Sequence, residues 1–427
     1  MSTVASPAPP TRRRMLSGAR WAGAGVLDQA VIALANAGNT LLAGVLLPRS
    51  RSSDLLLAAA VAYFAIGLNR AFVGDVLLAL ASRYDGARRE RLVRDGLCSA
   101  LVIGVGASLV LAILRLAVPP VGSINLRDLA WVAPFLPLIL LHDTGRYIYL
   151  SARRPTRALA VDLIWVGSQA TVVAGSILAF GPSAPGLLVA WGLGASAGFT
   201  AFCLRERIVV WRGSPRRWLA ETRQLAGWFT ATALVGQAQT LAVGFLTGGL
   251  SRTALSGLRI AQTVLLQPVQ NFQLAVQGLL VPRLSRLAAR VPEDPRAARD
   301  LRRQVRKIAL AFTGLAGLLV AVLWPVASLV LTRIDKFADI APLALPIALQ
   351  AGIYLVQVPF TAALRGMHRA KVLFAQYAVF TTVSLTGLVI GARCGELTGA
   401  VWGLLVGSAT GLVVMIGLYR SATASLR

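Results

Sequence analysis

The chain has 427 residues, 56% of them hydrophobic and 14% charged, where a soluble domain carries about 25% charged residues. This composition excludes a water-soluble enzyme. Lys and Arg number 43 against 17 Asp and Glu, for a net charge of +26, so the placement of the charges decides between a nucleic-acid partner and a membrane surface.

A helix that crosses a hydrocarbon layer of about 30 Å needs about 20 mostly apolar residues. In chain order, twelve stretches meet that requirement: 21–47, 55–81, 97–117, 129–150, 158–180, 186–204, 225–250, 254–280, 308–331, 340–364, 372–392 and 397–419. Pro134, Pro137, Pro268, Pro325, Pro346 and Pro359 fall inside them, and neighbouring helices must take up the backbone groups that proline frees. With Met1 on the cytoplasmic side and the sides alternating, most Lys and Arg collect in cytoplasmic loops, as the positive-inside rule requires. The expectation is a multi-pass protein of the cytoplasmic membrane with both termini cytoplasmic. The runs SRYDGARRERLVR (82–94) and RLSRLAARVPEDPRAARDLRRQVRK (283–307) then act as topology signals that touch anionic lipids, with no role in nucleic-acid binding.

TRRRML (11–16) has the look of a twin-arginine export signal, but the apolar run after it is too long for one and leads into eleven more spans. It is taken as an uncleaved basic arm. Cys98, Cys203 and Cys394 are too scattered for a disulfide framework or a metal site, and none of the three lysines follows glycine, which excludes a P-loop. No cofactor, metal or enzymatic activity is expected.

The spans divide into a basic arm over 1–20, six spans over 21–205, a connector over 206–224 and six spans over 225–427. LDQA (27–30) is matched by VGQA (235–238) at an offset of 208, and ARRPTRA (152–158) by LRGMHRA (364–370) at an offset of 212, aligning Arg153 and Arg157 with Arg365 and Arg369. The two offsets suggest duplicated six-helix lobes related by an axis along the membrane normal.

Seven charges fall well inside spans: Asp28, Arg70, Asp75, Asp143, Arg146, Asp162 and Arg259. Exposed to lipid they would cost on the order of 20 kcal/mol together, so they face protein or water. Asp143 and Arg146, three residues apart, share a helix face. Asp28, Arg70, Asp75 and Asp162 need partners on other helices. Two roles stay open for this set: ion pairs or gates, with Asp75 and Asp143 foremost, or function. In the second, Arg70 and Arg146 offer planar donors to an anionic headgroup, and Asp28 and Asp162 couple transport to H+ or Na+. On the eighth span, Arg259, Gln262, Gln270, Gln273 and Gln277 fall in one stripe about 80° wide, and on the first Asn39 lies within about 20° of Asp28. Gln350, Tyr354 and Gln357 form a shorter stripe on the tenth. Such stripes suggest a hydrated cavity wall, with Arg259 near its outer mouth. His142 is read as a packed ring, and His368 as part of a basic loop.

The opening GAGVLDQAVIALANAGNTLLAGVLLPR (23–49), AYFAIGLNRAFVGDVLL (62–78), LLHDTGRYIYLSARRPTRALAVDLIW (140–165) and the repeated R-x-x-x-R-A resemble the multidrug, oligosaccharidyl-lipid and polysaccharide exporter superfamily, most nearly its polysaccharide flippase branch. That resemblance implies an all-α fold of twelve helices in two lobes around a V-shaped cavity, and alternating access for a lipid-linked oligosaccharide. It also implies phosphate recognition by Arg70 and Arg146, and coupling at Asp28 as in the drug-exporting branch. The departure is a second-lobe cavity with no charge except Arg259. A proton- or cation-coupled drug exporter is the first rival reading, and a non-transporting subunit of an envelope-assembly complex the second. The major facilitator form of the first is disfavoured by SRYDGARR, which lacks that family's loop pattern.

Overall fold

The computed structural model describes residues 23–25, 27–35, 38–39, 42–43, 46–47, 49–117, 128–250, 258, 262–292, 294–333 and 341–424, with no strand among them. The first expected span carries α1 (Gly23–Ala35). The second is α2 (Arg49–Asn69), continued through a wide π-turn (Arg70–Gly74), α3 (Asp75–Leu80) and a 3-10 turn (Ala81–Arg83). The third to sixth are α4 (Gly86–Ala117), α5 (Leu129–Val132) with α6 (Leu136–Ser151), α7 (Pro155–Phe180) and α8 (Ala184–Glu206). After the connector come α9 (Pro215–Leu250), α10 (Gln267–Ala289), α11 (Pro295–Arg333), α12 (Ala344–Gly366) and α13 (Ala370–Ala424). The last is two helices that meet at non-helical Gly395 and Glu396, and so holds the eleventh and twelfth stretches. Among the described residues, seven helical segments are long and apolar enough to cross a membrane, α13 counting once. The protein is all-α and polytopic.

Where prolines fall, the helices take them at their ends or inside with support. Pro134 sits in the 3-10 turn before α6, and Pro137 and Pro268 stand in the first turns of α6 and α10, where the missing N–H would have no helical partner anyway. Pro325 and Pro359 lie inside α11 and α12.

Buried apolar side chains gather in one core shared by both halves and in outer cores private to each. The shared core joins Val76 and Leu77 of α3, Tyr149 of α6 and Trp218 at the start of α9 to Leu284 of α10, Ala363 of α12 and Leu373 of α13. Toward the other face, Leu55, Leu111, Leu136 and Leu187 form one core of the first half, while Leu258, Leu343 and Ile347 form another in the second half. The halves are thus packed together at the basic end and have separate cores at the other, as the limbs of a V.

The duplication is visible in backbone hydrogen bonds. After α6, the amides of Ala152, Arg153 and Arg154 donate to Ile148, Leu150 and Tyr149; after α12, Met367, His368 and Arg369 donate to Ala363, Arg365 and Leu364. Every atom pair is displaced by 215 residues, and Arg153 and His368 share the left-handed conformation, at φ 59° each. The offset of 212 expected from the arginines is corrected by this. The arginine motif aligned side chains, while the loop repeats its backbone.

Glycine sets the approach of the last two helices. Gly387 faces Gly403 and Gly391 faces Gly399, with backbone against backbone, the small-residue contact by which membrane helices come close. A Cβ at Gly403 would overlap the Gly387 carbonyl. Gly403→Val is therefore expected to lower the thermal midpoint of the detergent-solubilised protein, at an overpacking cost of about 1–3 kcal/mol. Gly417→Val, where a Cβ meets open space, is expected to leave it unchanged.

Candidate functional site: a carboxylate cluster, a neutral cavity and a closed basic end

In the first half, the in-span charges converge. The Asp75 amide donates to the Arg70 carbonyl, an i to i+5 bond that widens the helix there and stacks Asp75 on the face of Arg70. From that turn Arg70 grips Asp143 with two donors, Nε to Oδ2 at 2.9 Å and Nη2 to Oδ1 at 2.8 Å. Arg146, one turn along α6, uses all three nitrogens: Nε to Asp162 at 2.6 Å, Nη1 to Asp143 at 3.0 Å and Nη2 to Asp28 at 3.1 Å. Its side chain is 4% exposed, and those of Asp28 and Asp162 are 1% and 0%. Helices α1, α2, α6 and α7 are tied together through these groups.

Three carboxylates meet two guanidiniums, so the cluster carries one negative charge too many when every member is ionised. Asp28 Oδ1 has no hydrogen-bond partner among the described residues, and Asp162 Oδ1 meets only the His142 ring. The His142 ring packs on Trp165 with centroids 5.4 Å apart, and its Nε2 also lies 3.1 Å from Asp162 Oδ1, a partner on another helix that the sequence did not announce.

In this conformation Arg146 presents no free fork to a ligand. Arg70 keeps 32% of its side chain exposed and borders two small voids. One, of about 20 Å³, is bounded also by Gln29, Asp75, Gln277 and Arg365, which suffices for one water molecule.

The amide stripe lies elsewhere. Gln262, Gln270, Gln273, Gln350, Tyr354 and Gln357 line a cavity of about 320 Å³ in the second half, together with residues not anticipated from sequence, Gln239, Gln267, Gln376 and Tyr377. Its described lining carries no charge. Gln277 departs from the stripe: it is buried and faces the void beside Arg70. Asn39 is half-buried on the first-span helix and belongs to neither wall. Arg259 lies outside the described residues.

By the repeat offsets the two sites are counterparts. Gly236 stands where the first half has Asp28, Tyr377 where it has Asp162, Gln357 where it has His142 and Thr361 where it has Arg146. The duplicated position holds Asp, His and Arg in one copy and Gly, Gln, Thr and Tyr in the other.

Beneath both sites, bonds across the halves shut the basic end. Asp75 is paired with Arg365 at 2.6 Å. Arg83 donates to Ser285 at 2.8 Å and to the Gly366 carbonyl at 2.6 Å. Arg286 donates to Ser82 O at 2.6 Å, and Ser285 and His368 reach the Ala79 carbonyl at 2.5 and 3.2 Å. Burial and the Arg83 guanidinium push His368 down to about 4, so it is neutral here at pH 7. Sequence reasoning placed Asp75 as an ion pair or gate but had no means to find Arg83, Ser285 or Arg365 as its companions.

No protein-family model matches the sequence, and no curated protein matches it either. Solved structures do match in shape. A mutant of the Vibrio cholerae MATE transporter VcmN superposes with a TM-score of 0.81 at 14% identity, covering 95% of this chain and 96% of that one. The chain has the MATE-type transporter fold. The eukaryotic MATE transporter AtDTX14 gives a TM-score of 0.78 at 14% identity over 95% of this chain and 97% of that one. A MOP superfamily transporter from Pyrococcus furiosus, described as having a binding pocket of reversed polarity that suggests a different function, gives 0.74 at 14% identity over 96% and 95%. At such identity the likeness is one of fold. Within that fold, this chain places a three-to-two charge cluster in one half and a cavity with no charge in its described lining in the other.

Proposed function

We propose that the protein is a secondary transporter that exports a small aromatic or amide-bearing amphiphile, driven by proton exchange at Asp28 and Asp162. The observation that carries this reading is the separation of duties between the duplicated sites. Protons are handled by the cluster with one charge to neutralise, and substrate is held by the cavity of about 320 Å³ lined by glutamines, Tyr354, Tyr377 and Phe380. That size suits a drug-like molecule, and an uncharged wall suits one without a diphosphate. The positive-inside rule assigns the arginine-rich end to the cytoplasmic face, so this conformation is shut toward the cytoplasm, in keeping with a place in the cytoplasmic membrane.

A second reading, the flipping of a lipid-linked oligosaccharide, is favoured by one feature: the part of Arg70 left exposed between the halves. Proteoliposomes under an imposed pH gradient separate the two, with ethidium and a polyprenyl diphosphate-linked disaccharide as alternative cargoes. Gradient-driven ethidium movement is expected, lost about tenfold or more in Asp28→Asn, with the apparent KM raised by Gln350→Leu and Gln270→Leu. Movement of the disaccharide alone, dependent on Arg70, would replace the first reading by the second.

A further inference from the structure

Below the carboxylate cluster, at the basic face of the first half, lies a second polar cavity, of about 450 Å³, that neither cargo nor coupling uses. The start of α4 supplies Arg89 and Arg94, the α6–α7 loop supplies Arg154, and the chain after α8 supplies Arg207 and Arg212. Arg207 takes the left-handed conformation, φ 51°, which ends α8 and turns the 3-10 segment Val210–Arg212 back toward α4. Five guanidiniums therefore border one space, against two carboxylates, and both of these are engaged. Glu90 pairs with Arg94 at 3.3 Å and Glu206 with Arg157 at 2.8 Å. Arg89 reaches only the Ile148 carbonyl, at 3.4 Å. Among the described residues, the side chains of Arg154, Arg207 and Arg212 have no hydrogen-bond or ion-pair partner. At the cavity wall the Tyr149 hydroxyl is buried beside Glu206.

Like charges gathered around a hollow repel one another unless an anion fills it. Planar guanidinium forks match phosphate oxygens in bidentate pairs, and the doubly charged end of a phosphomonoester answers four unmatched arginines better than a singly charged diester does. The volume leaves room for an organic group beyond the phosphorus. We propose that this cavity is a binding site for a phosphomonoester, distinct from the transport pathway, supplied by a lipid headgroup or by a soluble metabolite. Its occupant would tie α4, the α6–α7 loop and the connector together three residues from Arg146.

The test uses the full chain. Arg154→Gln, Arg207→Gln and Arg212→Gln are combined, and a control combines Arg299→Gln, Arg303→Gln and Arg306→Gln, which remove the same charge from exposed positions of α11. Thermal midpoints are followed against glycerol 3-phosphate in detergent, and in phosphatidylcholine nanodiscs doped with phosphatidic acid or phosphatidylglycerol. The expected result is stabilisation by a monoester probe, weakened about tenfold in the cavity variant and unchanged in the control. A response to glycerol 3-phosphate identifies a soluble source, and a response to phosphatidic acid alone a headgroup. Equal weakening in both variants, an equal response to phosphatidylglycerol, or no response to either monoester would overturn the proposal. Should the triple variant not fold, the pair Arg207→Gln and Arg212→Gln gives the same reading.

Discussion

Arg146→Ala is expected to destabilise the protein by roughly 3–5 kcal/mol, the cost of breaking a buried ion pair by removing one partner. Asp143 would keep Arg70, but Asp28 and Asp162 would lose the only guanidinium bonded to either of them among the described residues. Arg146→Lys is expected to fall well short of rescue. The three acceptors lie around a planar fork at 2.6, 3.0 and 3.1 Å, and an ammonium on a flexible stem does not reproduce that fork. Thermal midpoints and monodisperse yield in detergent measure both. Adding Asp162→Asn to Arg146→Ala is expected to recover part of the loss, because it removes one of the stranded charges, with a coupling of about 0.5–3 kcal/mol in the double-mutant cycle. A fully stable Arg146→Ala protein would mean that the cluster is not the tie between α1, α6 and α7.

Why so much of the fold was readable in advance, and so little of the site, follows from the range of the forces. An apolar stretch of membrane length is a local property, so α4, α7, α8 and α12 lie where composition puts them. The need for in-span charges to face protein is equally local, and Asp143 pairs with Arg146 along one helix face as its spacing requires. The choice of distant partner is not local. Nothing near Asp75 announces Arg365, 290 residues away, and the three-way use of Arg146 exists only because α1, α6 and α7 meet. Gln277 fits the angular stripe of Gln262, Gln270 and Gln273 yet faces the other half, since a helical wheel cannot say where along its length a helix changes neighbour. The repeat was found but misaligned by three residues, because its conserved feature is a left-handed backbone position. Arg153 and His368 occupy it, and neither is the glycine that would have marked it.

Opening of the basic end is the second large effect expected. Arg83 spans the halves through Ser285 and the Gly366 carbonyl, and hydrogen bonds from a charged donor contribute about 1.5–3 kcal/mol each. Losing either shifts a two-state equilibrium about tenfold or more. The reporter is Gln277→Cys, a position buried between the halves, in a chain whose Cys98, Cys203 and Cys394 are replaced by alanine. Labelling by a membrane-impermeant maleimide from the basic face is expected to be slow, and at least tenfold faster after Arg83→Ala or Arg365→Ala. Acidification should act in the same direction. The closed end holds His368 neutral, at about 4, whereas a solvated histidine titrates near 6.5. The open state therefore binds the extra proton, so the closed state keeps its full advantage above about pH 6.5 and loses it progressively as pH falls toward 4. His368→Gln should flatten that dependence without abolishing the effect of Arg83→Ala, because the arginine bonds do not titrate in this range. Unchanged labelling in both arginine variants would place the barrier elsewhere, in the apolar core to which Leu77 and Leu284 both belong, and the polar bonds would then be a consequence of closure rather than its cause.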